Sequence, residues 1–394
     1  MASPGAAIAG IYEFPSRKVS GLSKLQIKAE SASRALADAG LTWSDVDAIY
    51  DASDGGPMQG LTISEYFGIT PRVIDTTAVG GSSYEFQAAH AARDIAAGKA
   101  SVALLTYGST ARSEARAIGT GGGVPAEPQP TSNMEVPYGL TLIGNYGLAA
   151  RRHMAQYGTT PEQLAEISVT TRAHAVRNPD AVAGLTAIGV QHVGEITIDD
   201  VLSSRMIADP LHLLECCIVS DGGGAVVIVS RAVAAGLPKL PVWILGTGEA
   251  TNYPGNHADI TTSAAIRSGA DAFGQAGVRP DEMDIAMIYD SFTITVLTIL
   301  EDLGFAKKGE GGSYVEGGRL RFDRTGAPAL NTDGGGLSSN HPGMRGIFLL
   351  IEATRQLRGE STAQVPGARL AVAHGNGGFL GTRHAAGTIV LGRE

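Results

Sequence analysis

Two phrases of this chain nearly repeat each other. VDAIYDAS runs from Val46 to Ser53, and MDIAMIYDSF runs from Met283 to Phe292. A glycine precedes each at the same spacing, Gly40 before Asp47 and Gly277 before Asp284. A repeat with a long period and only two copies implies two related halves packed by pseudo-symmetry, not a solenoid.

The segments around the phrases follow one order. In the first half AAIAGIYEF reads as a strand. SKLQIKAESASRALADAG follows as a helix whose apolar stripe (Leu25, Ile27, Ala32, Leu36) stops at Gly40. AIYDAS and RVIDTTAV are strand-like, GGSS turns, YEFQAAHAARDIAAGK is helical, and SVALLTYGS returns as a strand. The second half gives the strand VWILGTG, the helix TTSAAIRSGADAFGQAG, the strand IAMIYDSF, the helix IFLLIEATRQLRG and the strand ARLAVAHGNGG. Strands alternating with helices predict a mostly parallel, helix-covered sheet in each half. Between about Gly119 and Pro210 the order breaks into a Gly/Pro-rich loop and further helices, which reads as an insertion that covers a substrate. ECCIVSDGGGAVVIVS then closes the first half as a buried strand.

Composition narrows the function. Of the 394 residues 43% are hydrophobic and 18% charged, enough for a large core. The net charge of −9 comes without blocks of like charge, which argues against nucleic acid and membrane surfaces. The only cysteines, Cys216 and Cys217, are adjacent and cannot build a disulfide framework. With no signal pattern and no spanning apolar run, the expectation is a cytoplasmic protein. His212 and Cys216 lack a second ligand pair, so no metal site is expected, and both cysteines read as core packing. GNGGFLG lacks the following helix of a dinucleotide fingerprint.

The late motifs YDSF, NTDGGGLSSNHPGMRG (Asn331 to Gly346) and HGNGG together resemble the thiolase superfamily, in its branch of sterol-carrier-type thiolases and lipid-transfer-protein-like proteins. The resemblance implies an α/β thiolase-like fold of two pseudo-symmetric halves, residues 1–235 and 236–394, with the insertion (about 119–210) in the first. It also implies a CoA thioester as substrate, no permanently bound cofactor, a homodimer, and a small OB-fold partner of zinc-ribbon type. Three of the expected catalytic groups have changed. The nucleophilic cysteine would fall near Gly81 in AVGGSSYEF, and none is there. Tyr289 stands at the Asn or His position of the relatives' motif, and His374 at the second cysteine. In the His-Pro turn Asn340 replaces a glycine, while His341 and Pro342 match.

A thiolase needs a thiolate to form and release an acyl-enzyme. Ser82 or Ser83 would need a base within reach, and both read otherwise as helix caps. A thioester pocket without a nucleophile still suits retro-aldol cleavage of a β-hydroxyacyl-CoA, which needs a base, enolate donors and an acid. Tyr289, His341 and His374 are the candidates, their division into base and acid left open, and His257 ranks behind them. Each also has a structural reading: Tyr289 as a strand-end tyrosine like Tyr50, Asp290 as a cap of the following helix, the histidines as buried or turn residues. The rival functions are a thiolytic or Claisen-type acyltransferase and a non-catalytic acyl-CoA-binding subunit.

Overall fold

The computed structural model describes residues 5–52, 58–115, 139–252, 259–381 and 383–393. The Gly/Pro-rich start of the insertion and His257 lie outside the described residues. Five strands come from the first half: β1 (Ala6–Glu13), β2 (Ala48–Asp51), β3 (Val73–Asp75), β4 (Val102–Ser109) and β7 (Gly222–Ser230). The second half supplies β8 (Val242–Asn252), β9 (Ile285–Ile288), β10 (Ala329–Leu330), β11 (Leu370–Gly378) and β12 (His384–Gly392). Two short strands between them, β5 (Met206–Ala208) and β6 (Leu211–His212), form a separate ribbon.

Within the ten-stranded sheet the first five lie in the order 3-2-4-7-1 and the second five in the order 10-9-11-12-8. These are the same order, strand for strand. The two sets meet where β1 pairs antiparallel with β8, Ala7 opposite Trp243 and Ile8 opposite Val242. β2 is parallel to β3 and β4, and β9 is parallel to β10 and β11. The parallel strands read as apolar runs because they are buried on both faces.

The corresponding helices Ser83–Ala96 and Gly346–Arg358 pack against strands of both halves. Their apolar residues, with Tyr84, Ala88, Ile347 and Phe348 among them, share one core with Tyr50 and Tyr289. That placement makes the N-terminus of Ser83–Ala96 an inner surface. The Lys24–Ala39 helix begins with a Ser23–Gln26 capping box and ends at Gly40 in the left-handed conformation, as its sequence signals require. The helices Leu142–Tyr157 and Pro161–Ala175 belong to the insertion, and the first lies over the ends of β9 and β11 through Tyr146. Among the described residues no helix is long and apolar enough to cross a membrane.

Two expectations fail here. Each half is a mixed sheet rather than a mostly parallel one, because β7 runs antiparallel to β1 and β4, and β12 antiparallel to β8 and β11. The strand expected from Glu215 onward begins only at Gly222, and Cys216 to Asp221 form a connecting segment held by other elements. Asp221 explains the break. Its carboxylate accepts from the backbone N–H groups of Val19, Arg112 and Ser113, which pins the segment before the strand starts.

Candidate active site

A cavity of about 450 Å³ opens between the insertion and the ends of the central strands. Gly80 and Gly81 form part of its floor, at the short turn Gly80–Ser82 that leads into the Ser83–Ala96 helix. The first N–H groups of such a turn lack acceptors within the helix, and its dipole favours negative charge. Gly80 takes φ +76° and faces the Gly377 backbone, a conformation that favours glycine.

At Gly81, near which the resemblance would put a nucleophile, a Cβ atom would overlap the Tyr289 ring and the Asn376 carbonyl oxygen. The Tyr289 phenol fills the space in which a side chain at residue 81 would begin. Ser82 and Ser83 offer no substitute. The Ser82 hydroxyl reaches the carbonyls of Val79 and Ala385, each at 3.3 Å, and the Ser83 hydroxyl donates to the Gly80 carbonyl at 2.6 Å. Neither caps the helix as its sequence suggests. Ser83 instead closes the preceding turn by accepting from the Val79 N–H.

Tyr289 follows the last residue of β9, its N–H donating to the His374 carbonyl. Its hydroxyl lies 2.9 Å from His341 Nε2, with the rings edge to face. The His341 backbone exchanges hydrogen bonds with Ser220, which fixes the turn that carries it. His341 is 3% exposed, and its Nδ1 has no partner among the described residues. Burial, reinforced by the Arg345 charge, lowers the His341 pKa to about 4, so the imidazole is neutral at pH 7. Burial likewise pushes the Tyr289 phenol well above its ordinary value. Two neutral groups thus share one hydrogen bond.

Asp290 does not cap the Thr293–Asp302 helix. It accepts from the N–H groups of Gly336 and Leu337 and lies 3.2 Å from Arg345. Burial raises its pKa to about 6 against the opposing pull of Arg345. Arg345 in turn holds Asp333 and the Asn340 side chain, and Asn340 donates to Glu13 at 2.6 Å. The asparagine at the family's glycine position is therefore a link between the His-Pro turn and the first strand.

His374 is a correction. It is fully buried, does not line the cavity, and places Nδ1 2.8 Å from the Thr388 hydroxyl of the neighbouring strand. Burial lowers its pKa to about 3. Side chains two residues apart share a face, but Asn376 sits ~6.6 Å nearer the strand end and is the one that reaches the cavity. The Ala264 N–H donates to His384 Nδ1, so the His384 Nε2–H donates to Asn376 Oδ1 at 2.6 Å. Asn376 Nδ2 then donates to the Tyr146 oxygen at 2.8 Å. Asn376 and Tyr146 are cavity groups that sequence reasoning missed.

The cysteines also depart from expectation. Both line the cavity, shielded from bulk water yet open to it. Burial pushes Cys216 up to about 12 and Cys217 well above the ordinary thiol value, so neither is a thiolate. Among the described residues no group of three or more His, Cys, Asp or Glu could hold a metal.

Residues 246–393 match the family model described as thiolase C-terminal domain-like. A steroid side-chain-cleaving aldolase of Thermomonospora curvata is 33% identical over 92% of each chain. A 17-hydroxy-3-oxo-4-pregnene-20-carboxyl-CoA lyase of Mycobacterium tuberculosis is 32% identical over 93% of this chain and 95% of its own. An acetyl-CoA acetyltransferase of Methanothermobacter thermautotrophicus is 38% identical over a shorter stretch, 63% of each chain. Among solved structures, an Ltp2-ChsH2(DUF35) aldolase chain superposes with a TM-score of 0.85 and 30% identity, covering 99% of this chain and 98% of that one. Fold, motifs and full-length similarity agree: the chain belongs to the thiolase superfamily, in its sterol-carrier-type, lipid-transfer-protein-like branch.

Proposed function

We propose that the protein is a carbon–carbon lyase that cleaves a β-hydroxyacyl-CoA by retro-aldol chemistry, releasing a ketone or aldehyde and a shorter acyl-CoA. The observation that carries this reading is the Tyr289–His341 pair in the space where a nucleophile would stand. The two full-length relatives named for aldolase and lyase activity support it. A bulky, steroid-like side chain is the substrate class those names favour.

The substrate's β-hydroxyl lies against the Tyr289 oxygen. As it ionises, Tyr289 takes its proton and passes its own to His341 Nε2, so no free phenolate forms, and the enolate that develops in the same cavity offsets the imidazolium that burial disfavours in the resting site. The Cα–Cβ bond breaks, the ketone leaves, and the thioester becomes an enolate. Negative charge grows on the thioester oxygen, which the N–H groups of the Gly80–Ser82 turn and the second amide hydrogen of Asn376 stabilise. No acyl-enzyme is needed.

A small OB-fold partner completes the CoA site in this reading. Support comes from the two-protein composition of the matched aldolase structure and from Leu213, which lines the cavity yet is 46% exposed. An acyltransferase reading draws on the acetyl-CoA acetyltransferase similarity, but the buried, hydrogen-bonded serines and protonated cysteines leave it without a nucleophile. The test is product analysis on matched β-hydroxyacyl-CoA and β-ketoacyl-CoA substrates, with and without free CoA and an OB-fold partner. Ketone plus shorter acyl-CoA formed from the hydroxy series without added CoA is the expected result. Cleavage of the keto series alone, and only with free CoA, means thiolysis. Tight binding without turnover means a binding subunit.

A further inference from the structure

Retro-aldol cleavage needs two proton transfers at different atoms. The Tyr289–His341 pair receives the hydroxyl proton at Cβ, and a separate acid must supply one to the enolate carbon. The other cavity groups with transferable protons are mostly engaged. Tyr146 donates to the Gly378 carbonyl, Ser291 shares its hydroxyl with Thr295, and Cys216 donates to the His212 carbonyl. Cys217 lines the cavity as a free thiol. Its position is fixed all the same. The Cys217 N–H donates to the Ser291 carbonyl at 2.9 Å, and Cys216 bridges Phe292 antiparallel, which fastens the cysteines beside the segment that begins with Tyr289. His341 lines the same cavity, where its Nε2 meets the Tyr289 hydroxyl.

We propose that Cys217 is the acid that protonates the enolate carbon, an inference resting on the retro-aldol reading above. The S–H bond breaks as the Cα–H bond forms, leaving a thiolate and the completed acyl-CoA. Once the products leave, the proton held on His341 and the thiolate re-equilibrate through solvent entering the cavity, which restores the thiol and the neutral imidazole. The cycle is redox-neutral and consumes neither water nor free CoA. Burial keeps the thiol protonated until an enolate, a stronger base than a thiolate, is formed beside it.

The experiment is deuterium exchange into the α-carbon of a short straight-chain acyl-CoA in D2O, run beside cleavage of a β-hydroxyacyl-CoA. The wild-type protein, with its OB-fold partner where cleavage needs one, is compared with Cys217→Ser and Cys217→Ala. The wild type is expected to exchange one face of the α-carbon. Both variants are expected to lose that exchange on the order of a hundredfold, to lose its facial preference, and to keep acyl-CoA affinity. Wild-type cleavage with exchange unchanged in both variants overturns the role of Cys217 and leaves the retro-aldol reading standing. Loss of acyl-CoA binding together with exchange in both variants overturns it in favour of a packing role. Absence of wild-type cleavage across the substrate series overturns the retro-aldol reading and the acid role with it.

Discussion

The two Tyr-Asp copies occupy equivalent places in the sheet and meet different fates. At the end of β2, Tyr50 donates to Asp94 at 2.8 Å, while Asp51 takes the Lys28 ammonium and the Thr106 hydroxyl. Beyond β9, Asp290 again holds structure together, now through Gly336, Leu337 and Arg345. Tyr289 meets an imidazole in place of a carboxylate and faces a cavity. The fold repeats the aspartate's task and leaves the tyrosine free to differ. What the neighbouring, non-repeated segment brings to the phenol decides whether it is a structural hydroxyl or one end of a proton relay.

Exchanging phenol for phenyl in each copy is the sharpest way to break this comparison. Tyr289→Phe is expected to lower the cleavage rate by about a thousandfold and to cost about 1 kcal/mol of stability for the lost bond to His341. Tyr50→Phe should leave kcat intact and cost about 1 kcal/mol of stability for the lost bond to Asp94. Equal losses of activity in both variants would contradict the division of roles.

A steric test addresses the shared space of Gly81 and Tyr289. Gly81→Ala pushes a methyl into the ring and should cost about 3 kcal/mol, whereas in the Tyr289→Ala background the same methyl should cost much less. Additive losses in the double-mutant cycle would mean that the glycine is required for another reason.

The paired helices offer a smaller contrast. Glu352 accepts from Thr332 and Ser361, but Glu85 has no partner for either oxygen and sits where Gly346, Gly375 and Gly387 leave it room. Burial raises the Glu85 pKa to about 8, so the folded protein holds a proton that the unfolded chain releases near pH ~4.5. Its contribution is full below that pH and is lost as pH rises towards 8. Glu85→Gln should therefore stabilise the protein at pH 7 by about 1–3 kcal/mol and flatten the pH profile of thermal unfolding above pH ~4.5.

His90 gives the smallest effect of this set. It bridges Asp75 of the first half at 2.5 Å and Glu249 of the second at 3.1 Å. The bond to Asp75 and then that to Glu249 raise its pKa to about 9, against the cost of burial. Its stabilisation is complete below the unfolded pKa of ~6.5 and is lost as pH rises through 9. For this partly exposed site the loss is on the order of 1–2 kcal/mol, and His90→Gln should remove the slope.

The fold was legible because it is written twice: matched glycines, strand phrases and helix stripes fix the order of elements. Tyr289 and His341 were legible as candidates because each sits in a short motif at a strand or turn end. His374 misled because period-two alternation gives a face of the sheet but not the depth along it, and only Asn376 lies near enough to the end. Tyr146 and Cys217 come from the non-repeated insertion and its exit. Hydrogen bonds to distant residues, such as Asn376 and Ser291, set their positions, and local sequence carries no sign of them.

The central claim is cleavage without a covalent acyl intermediate. The most direct measurement follows the intact protein mass during turnover of a β-hydroxyacyl-CoA, with no free CoA added and products counted in parallel. The account predicts equal amounts of ketone and shorter acyl-CoA while the protein mass stays unmodified. An acyl adduct on the protein, or products that form only after CoA is added, would contradict it.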